Sequence, residues 1–213
     1  SIAVAPGANG HLLPRHVEVA RELIAQASVL LLQLEIPLDT VCAAARLAAE
    51  VGCRVVLNPA PATALPAELH GQLDLITPNE SEAEILTGIA VRDHHSAARA
   101  AEQLHGRGVA AVLITRGRHG VFFSSVGIDG QRRERNWPAF AVEAVDTTAA
   151  GDVFNGCLAV GLAAGTSLEE ALRFAQAGAA ISVQVLGAQS SAPGLKDIQH
   201  FLDARVAAVD SPE

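Results

Sequence analysis

The sequence of 213 residues contains no methionine, no tyrosine and a single tryptophan, and its three cysteines are Cys42, Cys53 and Cys157. Three cysteines cannot all pair, and none has the C-x-x-C spacing of a zinc or redox site, so we expect free thiols in a reducing cytoplasm. Neither an initiator methionine nor a signal-peptide pattern opens the chain. We therefore expect it to be a portion of a longer protein.

Long apolar runs are also missing from the sequence. The run LLLQLEIPL at residues 30–38 contains Glu35 and Pro37, and it falls short of the roughly 18 to 20 apolar residues that a membrane span requires. With 50% hydrophobic and 18% charged residues, the chain can bury a core, so we expect a soluble protein. The formal net charge of -8 repels phosphate backbones and disfavours nucleic acid as a partner.

Two common nucleotide-binding signatures are absent. There is no Walker A sequence, and Lys196 is the only lysine, so a P-loop NTPase is excluded. No G-x-G-x-x-G sequence opens a helix, which disfavours a dinucleotide-binding Rossmann enzyme. Any nucleotide site must therefore be built from other residues.

Short β-branched or leucine-rich runs alternate with longer alanine-rich amphipathic stretches. This alternation predicts an α/β fold with a mostly parallel sheet, and the continuous apolar character of the strands predicts helices on both faces. The predicted strands are residues 28–34, 54–58, 73–77, 110–115 and 120–125. The predicted helices are residues 15–26, 38–51, 80–87, 96–107, 152–164, 168–186 and 196–208. A turn is predicted at 127–131, an extended arm at 132–145 and a loop at 187–193.

The segment VDTTAAGDVFNG, residues 145–156, passes from a strand-like run through small residues into a helix. Small residues let the main chain approach a ligand closely, and the first amides of a helix favour an anion. Asp152 then has two possible roles: a base beside that anion, or a carboxylate that complements the helix dipole. Spacing alone favours the second role, because Asp is common in first turns.

The sequence DTTAAGD resembles the C-terminal signature of the ribokinase (PfkB carbohydrate kinase) family, in which many relatives have Gly in place of Ala149. Further segments occur in the order found in that family: LLLQLEIPL, LNPAPA, LITPNESEAEILTG, VLITRGRHGV and GAQSSAP. The resemblance implies a ribokinase-like three-layer kinase domain over residues 1–213, with a mostly parallel central sheet. It covers the later two thirds of the family pattern, without the N-terminal strands, the Gly-rich sugar-binding motif and most of the lid.

The resemblance implies roles for individual residues. Asp152 is expected to take the proton from the sugar hydroxyl, and the amides of Ala149, Ala150, Gly151 and Asp152 to hold the charge that develops on phosphate. Glu35 is expected to contact the sugar. The residues expected to bind the nucleotide are Asn79, Thr115, Arg116, Gly117, Arg118, His119, Gly120, Gly151 and Gln176. Without the family context, the segment 115–120 favours a tight hairpin turn, and Gln176 is equally compatible with an amide on a helix surface.

The resemblance also implies two ion sites. Asn79 and Glu82 match an N-x-x-E motif that organises Mg²⁺ and its waters around ATP, although this spacing alone favours a helix-capping pair. Both roles are compatible with each other. A site for K⁺ as a monovalent activator, formed mostly by main-chain oxygens, is implied at Asp146, Thr148, Ser182, Val185, Gly187 and Ser191.

The implied activity is ATP-dependent phosphorylation of the primary hydroxyl of a pentose, with D-ribose at O5 as the first choice. Two alternatives remain: an inactive fragment or ATP-binding module without turnover, and a kinase of the same family for another sugar or a nucleoside. The implied partners are ATP and a small sugar, without nucleic acid or membrane. A homodimer is possible in the full-length parent.

Overall fold

The structure of the chain, a computed structural model, describes residues 5–127 and 129–209, with side chains up to residue 205. The chain divides into two compact units. The first comprises residues 1–117 and 121–137, and the second comprises residues 118–120 and 138–213. The assignment of residues 1–213 to a single domain stays a prediction.

The first unit contains a six-stranded sheet whose spatial order follows the sequence. The strands are β1 (Val29–Leu32), β2 (Arg54–Leu57), β3 (Leu75–Ile76), β4 (Ala111–Thr115), β5 (Val121–Val126) and β6 (Arg132–Trp137). The pairs from β1 to β4 are parallel, and the last two pairs are antiparallel. The predicted strands are therefore present with slightly different bounds, and the sheet is mixed, with three parallel and two antiparallel pairs, in agreement with the predicted mostly parallel sheet.

Strand β6 differs from the prediction of an extended arm at residues 132–145. It pairs with β5 along its whole length, from Val121 opposite Trp137 to Val126 opposite Arg132. Its sequence RRERNW is exposed except for the final tryptophan and lacks the apolar character of a covered strand. The antiparallel partner, rather than local hydrophobicity, is what places these residues in the sheet.

The helices of the first unit are α1 (Pro14–Val19), α2 (Arg21–Gln26), α3 (Leu38–Val51), α4 (Ala67–His70), α5 (Glu80–Thr87) and α6 (His94–Gly106). Helices α3 and α5 have the predicted bounds. Each ends at a left-handed glycine, Gly52 with φ 76° and Gly88 with φ 74°, where the missing Cβ avoids a steric penalty. The helix predicted at 15–26 is divided at Ala20, where ψ is 5°.

Alternate side chains of the central strands are buried on both faces of the sheet. On β2, Val55 and Leu57 point to one face and Val56 to the other, and all three are 0% exposed. On β4, Leu113 is buried between two similarly buried neighbours. Strands covered on both faces are typical of α/β proteins, and the predicted α/β fold class is confirmed.

The second unit is helical over α7 (Ala150–Ala163), α8 (Leu168–Ser182) and α9 (Leu195–Val209). The predicted capping box opens α8: the Glu170 amide donates to Ser167 Oγ, and the Ser167 amide donates to the Glu170 carboxylate. Helix α8 ends at Ser182, before the predicted residue 186. Within the described residues, no helix has both the length and the apolar character to cross a bilayer.

Helices α7 and α8 approach closely at Gly161. A Cβ at this position would lie 2.8 Å from the Cβ of Ala171 and 2.9 Å from its Cα. A contact this short must be relieved by movement of backbone, because the Ala171 side chain cannot rotate away. Glycine at position 161 is therefore required by the packing of the two helices.

We predict that Gly161→Ala lowers the free energy of unfolding by about 1–3 kcal/mol, since it overpacks this contact. Urea unfolding followed by circular dichroism measures the change. The matched control is Gly156→Ala in the same helix, where a Cβ would meet nothing within 4 Å. The control should be stabilising by up to about 1 kcal/mol through helix propensity. Equal losses in both variants would contradict the packing argument.

Candidate active site

The start of α7 carries the residues of the DTTAAGD sequence. Ala149 occupies the N-cap with a left-handed backbone, φ 59° and ψ 10°, and its side chain makes no capping hydrogen bond. The first-turn amides of a helix have no carbonyl acceptor within the helix, and here the Ala150 amide donates to the Thr147 carbonyl at 3.2 Å in the preceding turn. The rest of this turn can accept an anion. Asn155, which is 3% exposed, donates its side-chain amide to the Gly151 carbonyl at 2.8 Å and steadies the turn.

Asp152 lies in this first turn, is exposed and lines a cavity of about 550 Å³. Apart from Asp152 and Gln189, the side chains around the cavity are apolar or small, and all of them belong to the second unit. The lining residues are Ala149, Asp152, Val153, Gly156, Cys157, Val160, Phe174, Ala188, Gln189, Ala192, Pro193, Leu195 and Ile198. A single carboxylate at an open apolar cavity, next to uncapped amides, suits proton transfer beside an anion.

Asp146 joins the segment before α7 to the loop after α8. Its carboxylate accepts hydrogen bonds from the Thr148 amide at 2.9 Å, the Thr148 hydroxyl at 2.6 Å and the Gly187 amide at 2.9 Å. The hydroxyl of Thr148, followed by the two amides, lowers the pKa of Asp146 to about 2. The amides of Val145 and Asp146 both donate to the Val183 carbonyl, at 2.7 and 3.0 Å. The structure thus brings together Asp146, Thr148 and Gly187, three of the six residues expected around K⁺.

The other three expected residues lie at the end of α8 and in the loop after it. Ser182 and Ser191 are buried, and their hydroxyls donate to the carbonyls of Ala179 and Ala188, respectively. The Val185 amide donates to the Ser182 carbonyl. Within the described residues, the carbonyls of Val185 and Gly187 accept no hydrogen bond, so both lone pairs of each oxygen are available to a cation.

Asn79 and Glu82 form a complete capping box at the start of α5. The Glu82 amide donates to Asn79 Oδ1, and the Asn79 amide donates to Glu82 Oε2, both at 2.8 Å. The capping interpretation of the sequence is therefore confirmed. Burial raises the pKa of Glu82, and the hydrogen bond from the Asn79 amide opposes this effect.

The segment 115–120 connects β4 to its antiparallel neighbour β5, so the predicted hairpin turn is confirmed. Gly117, with φ 49°, and Gly120, with φ 81°, provide left-handed positions in the turn. Thr115, at the end of β4, donates its amide to the Pro78 carbonyl at 3.0 Å and forms a β-bridge with Asn79. Thr115 and the start of α5 are thus brought together. Arg118 and His119 are exposed.

Gln176 and Glu35 differ in their surroundings. Gln176 on α8 is 6% exposed and donates its side-chain amide to the Pro138 carbonyl at 3.0 Å, so the alternative of a helix-surface amide is wrong. Glu35 is exposed in the connection between β1 and α3.

Sequence reasoning missed the burial of Gln176 and the hydrogen bond from Asn155. In both cases the sequence signal was a side-chain amide among the small residues of a helix, which indicates burial of that amide.

The chain belongs to the pfkB family of carbohydrate kinases, because the model of that family, described as pfkB family carbohydrate kinase, matches residues 1–195. Within this family it is similar to ribokinases. The ribokinase of Haemophilus influenzae is 49% identical over 203 residues, which are 95% of this chain and 65% of that protein.

Solved ribokinase structures have the same fold. The ribokinase of Thermotoga maritima is 38% identical, with a TM-score of 0.84 over 95% of this chain and 65% of the other. The Arabidopsis thaliana ribokinase complexed with ribose and ATP is 33% identical, with a TM-score of 0.85 over 95% of this chain and 64% of the other. The ribokinase-like fold is confirmed. The chain spans slightly less than two thirds of the length of these relatives.

We predict that Asp146 makes stability depend on pH in the acid range. Its folded pKa of about 2 lies below the ordinary value of 3.8, so its stabilisation is present above pH 4 and is lost as the pH falls toward 2. The difference in free energy of unfolding between the native chain and Asp146→Asn should therefore shrink between pH 5 and about 2.5. Urea unfolding at several pH values measures it.

The control for this experiment is Glu143→Gln, which removes a carboxylate from an exposed side chain in the same segment. Glu143→Gln should differ little from the native chain across this range. A difference for Asp146→Asn that stays constant with pH would contradict the assigned role of the carboxylate.

Proposed function

We propose that this chain is the ATP-handling, catalytic portion of a kinase that phosphorylates the primary hydroxyl of a small sugar, most simply D-ribose to ribose 5-phosphate. The observation that carries the proposal is the position of Asp152 on an open cavity, in a helix turn that no side chain caps. The similarity to ribokinases supports the choice of ribose and ATP as substrates, since one related structure is a ribokinase in complex with ribose and ATP.

In the proposed reaction, Asp152 is the base. It takes the proton from the sugar hydroxyl, whose oxygen attacks the γ-phosphorus, while the bond from that phosphorus to the bridging oxygen of ADP breaks. The amides of Ala149, Ala150, Gly151 and Asp152 donate to the phosphoryl oxygens as negative charge develops. Gly151 leaves open space beside the turn, since a Cβ there would meet nothing within 4 Å.

The nucleotide is proposed to lie against the turn after β4 and the start of α5. Thr115, Gly117 and Gly120 present main chain at positions where side chains are small or absent, which suits close approach of phosphates. Arg116, Arg118 and His119 belong to the same turn, and Asn79 is held next to Thr115 by a β-bridge. Gln176 is proposed to lie beside the adenine, and Glu35 to contact the sugar.

The residues present fit the two proposed ions. No cluster of three or more His, Cys, Asp or Glu side chains suitable for a metal occurs in the part of the chain that the structure describes. This sparse set fits Mg²⁺ held through water and ATP oxygens near Asn79 and Glu82, where the ion would neutralise phosphate charge. The carbonyls of Val185 and Gly187, with no hydrogen-bond donor among the described residues, fit K⁺.

A second candidate is an ATP-binding module without sugar-dependent turnover. It is favoured by the span of the match, because this chain accounts for 65% of the Haemophilus relative. Calorimetry with ATP and an assay of ribose-dependent ADP formation separate the two candidates. Kinases for another sugar or a nucleoside are distinguished by the same assay with those substrates.

The proposed use of ATP and the free cysteines agree with a cytoplasmic location.

We predict that Asp152→Ala and Asp152→Asn in the complete protein each lower kcat by about 10²- to 10⁴-fold, because a positioned base is removed. The KM for ATP should change little, since the uncapped amides remain. Steady-state assays of ADP formation with ribose measure both constants.

The control for these variants is Asp203→Asn, which removes an exposed carboxylate of α9 and should leave kcat unchanged. If either Asp152 variant kept more than roughly a tenth of the native kcat, the assignment of the base would be wrong. If ribose elicited no ADP formation from the native complete protein, the proposed substrate would be wrong instead.

A further inference from the structure

Arg116 is the one largely buried cationic side chain in the turn after β4. Its side chain is 11% exposed, whereas Arg118 and His119 in the same turn are exposed. A buried guanidinium is costly unless nearby negative charge compensates it. The acidic group nearest to Arg116 therefore indicates which part of the structure Arg116 stabilises.

One acidic side chain, at the start of α5, lies within ion-pair distance of Arg116. Glu80 Oε1, from the first residue of α5, lies 3.9 Å from Arg116 Nε. Asp93 is the N-cap of α6, and hydrogen bonds from Ser96 are the main cause of its lowered pKa, with smaller contributions from the positive charges of His95 and Arg116. Arg116 thus carries positive charge next to the beginning of α5, and this charge also contributes to the lowered pKa of the α6 N-cap.

The main chain beside Arg116 is joined to the same place. Thr115 donates its amide to the Pro78 carbonyl and bridges Asn79, which caps α5. Arg116 Nε is buried and has no hydrogen-bond acceptor among the described residues, and Glu80 Oε1, at 3.9 Å, is an ion-pair partner beyond hydrogen-bonding distance. This ion pair links the turn after β4 to the first turn of α5.

We propose that Arg116 is a positioning residue, which acts through Glu80 to hold Asn79 and Glu82 in place for a magnesium–nucleotide complex. The inference rests on the proposed function and deepens it. The Nε of Arg116 is buried beside Glu80 and is closed to a phosphate, and it is through this nitrogen that Arg116 acts on the start of α5. A direct phosphate contact is the competing explanation, and the two make opposite predictions for Glu80.

The test is a double-mutant cycle of Arg116→Ala and Glu80→Gln in the complete protein. Calorimetry measures the binding of ATP with Mg²⁺ and of ATP without metal, and a Mg²⁺ titration of kinase activity supports it. Each single variant should weaken binding of the Mg²⁺–ATP complex by about tenfold. The double variant should bind this complex no more weakly than the single variant with the lower affinity, because both substitutions remove the same interaction. Binding of metal-free ATP should change less than about twofold, since the capping pair acts through the metal.

Arg107→Ala is the matched control, because Arg107 holds the other end of α5 through a 2.8 Å hydrogen bond to the Leu86 carbonyl. It should lower thermal stability while leaving Mg²⁺–ATP affinity unchanged. Arg116→Lys should recover part of the affinity, since it restores the charge without the planar donor group.

Three results would overturn the inference. Unchanged or tighter binding in Glu80→Gln would identify Arg116 as a direct phosphate ligand. An equal loss in Arg107→Ala would reduce the effect to general loosening of α5. If the native protein did not bind Mg²⁺–ATP, the proposed function would be contradicted as well. If the native protein bound Mg²⁺–ATP and the Arg116 variants bound it equally well, only the inference about Arg116 would be contradicted.

Discussion

The left-handed start of α7 is the constraint on which the proposed chemistry depends. Ala149 has φ 59° despite its Cβ, a conformation that costs roughly 1–2 kcal/mol, and it gives the helix no side-chain cap. The Ala150 amide donates to the Thr147 carbonyl, whereas the Gly151 amide retains the capacity to bind an external acceptor beside Asp152. A Ser or Asp cap would have satisfied one of these amides and competed with a phosphate for the same place. The missing cap thus lowers helix stability at the place where the phosphate is proposed to bind.

The turn before α7 keeps its shape because it is fixed to the end of α8. Asp146 accepts three hydrogen bonds, and its own amide and that of Val145 share the Val183 carbonyl. Close packing of the two helices at Gly161 supports the same arrangement from further along α7. Catalytic groups act best when packing and hydrogen bonds already hold them in place. A cation held by the nearby carbonyls would stiffen this connection further.

Local sequence signals predicted the helices well and the contacts of the site only in part. Helix α3, closed by Gly52, has the predicted bounds because a helix end depends on neighbouring residues. Strand β6 was predicted as an arm because its place depends on pairing with β5, which its charged sequence does not encode. The family resemblance predicts Asp152 as the base, which stays a prediction, and the burial of Arg116 and Gln176 depends on tertiary neighbours that no local pattern specifies.

The start of α5 explains why a structural role does not exclude a functional one. The capping box uses Oδ1 of Asn79 and Oε2 of Glu82, so one oxygen of the Glu82 carboxylate lies outside the cap. Burial raises the pKa of Glu82 more than the hydrogen bond from Asn79 lowers it, so the charged carboxylate remains incompletely compensated. A hydrated cation beside it would supply the missing positive charge while the cap stays intact. Capping is therefore compatible with the proposed role of Glu82 beside Mg²⁺, because it fixes the carboxylate and leaves one of its oxygens outside the cap.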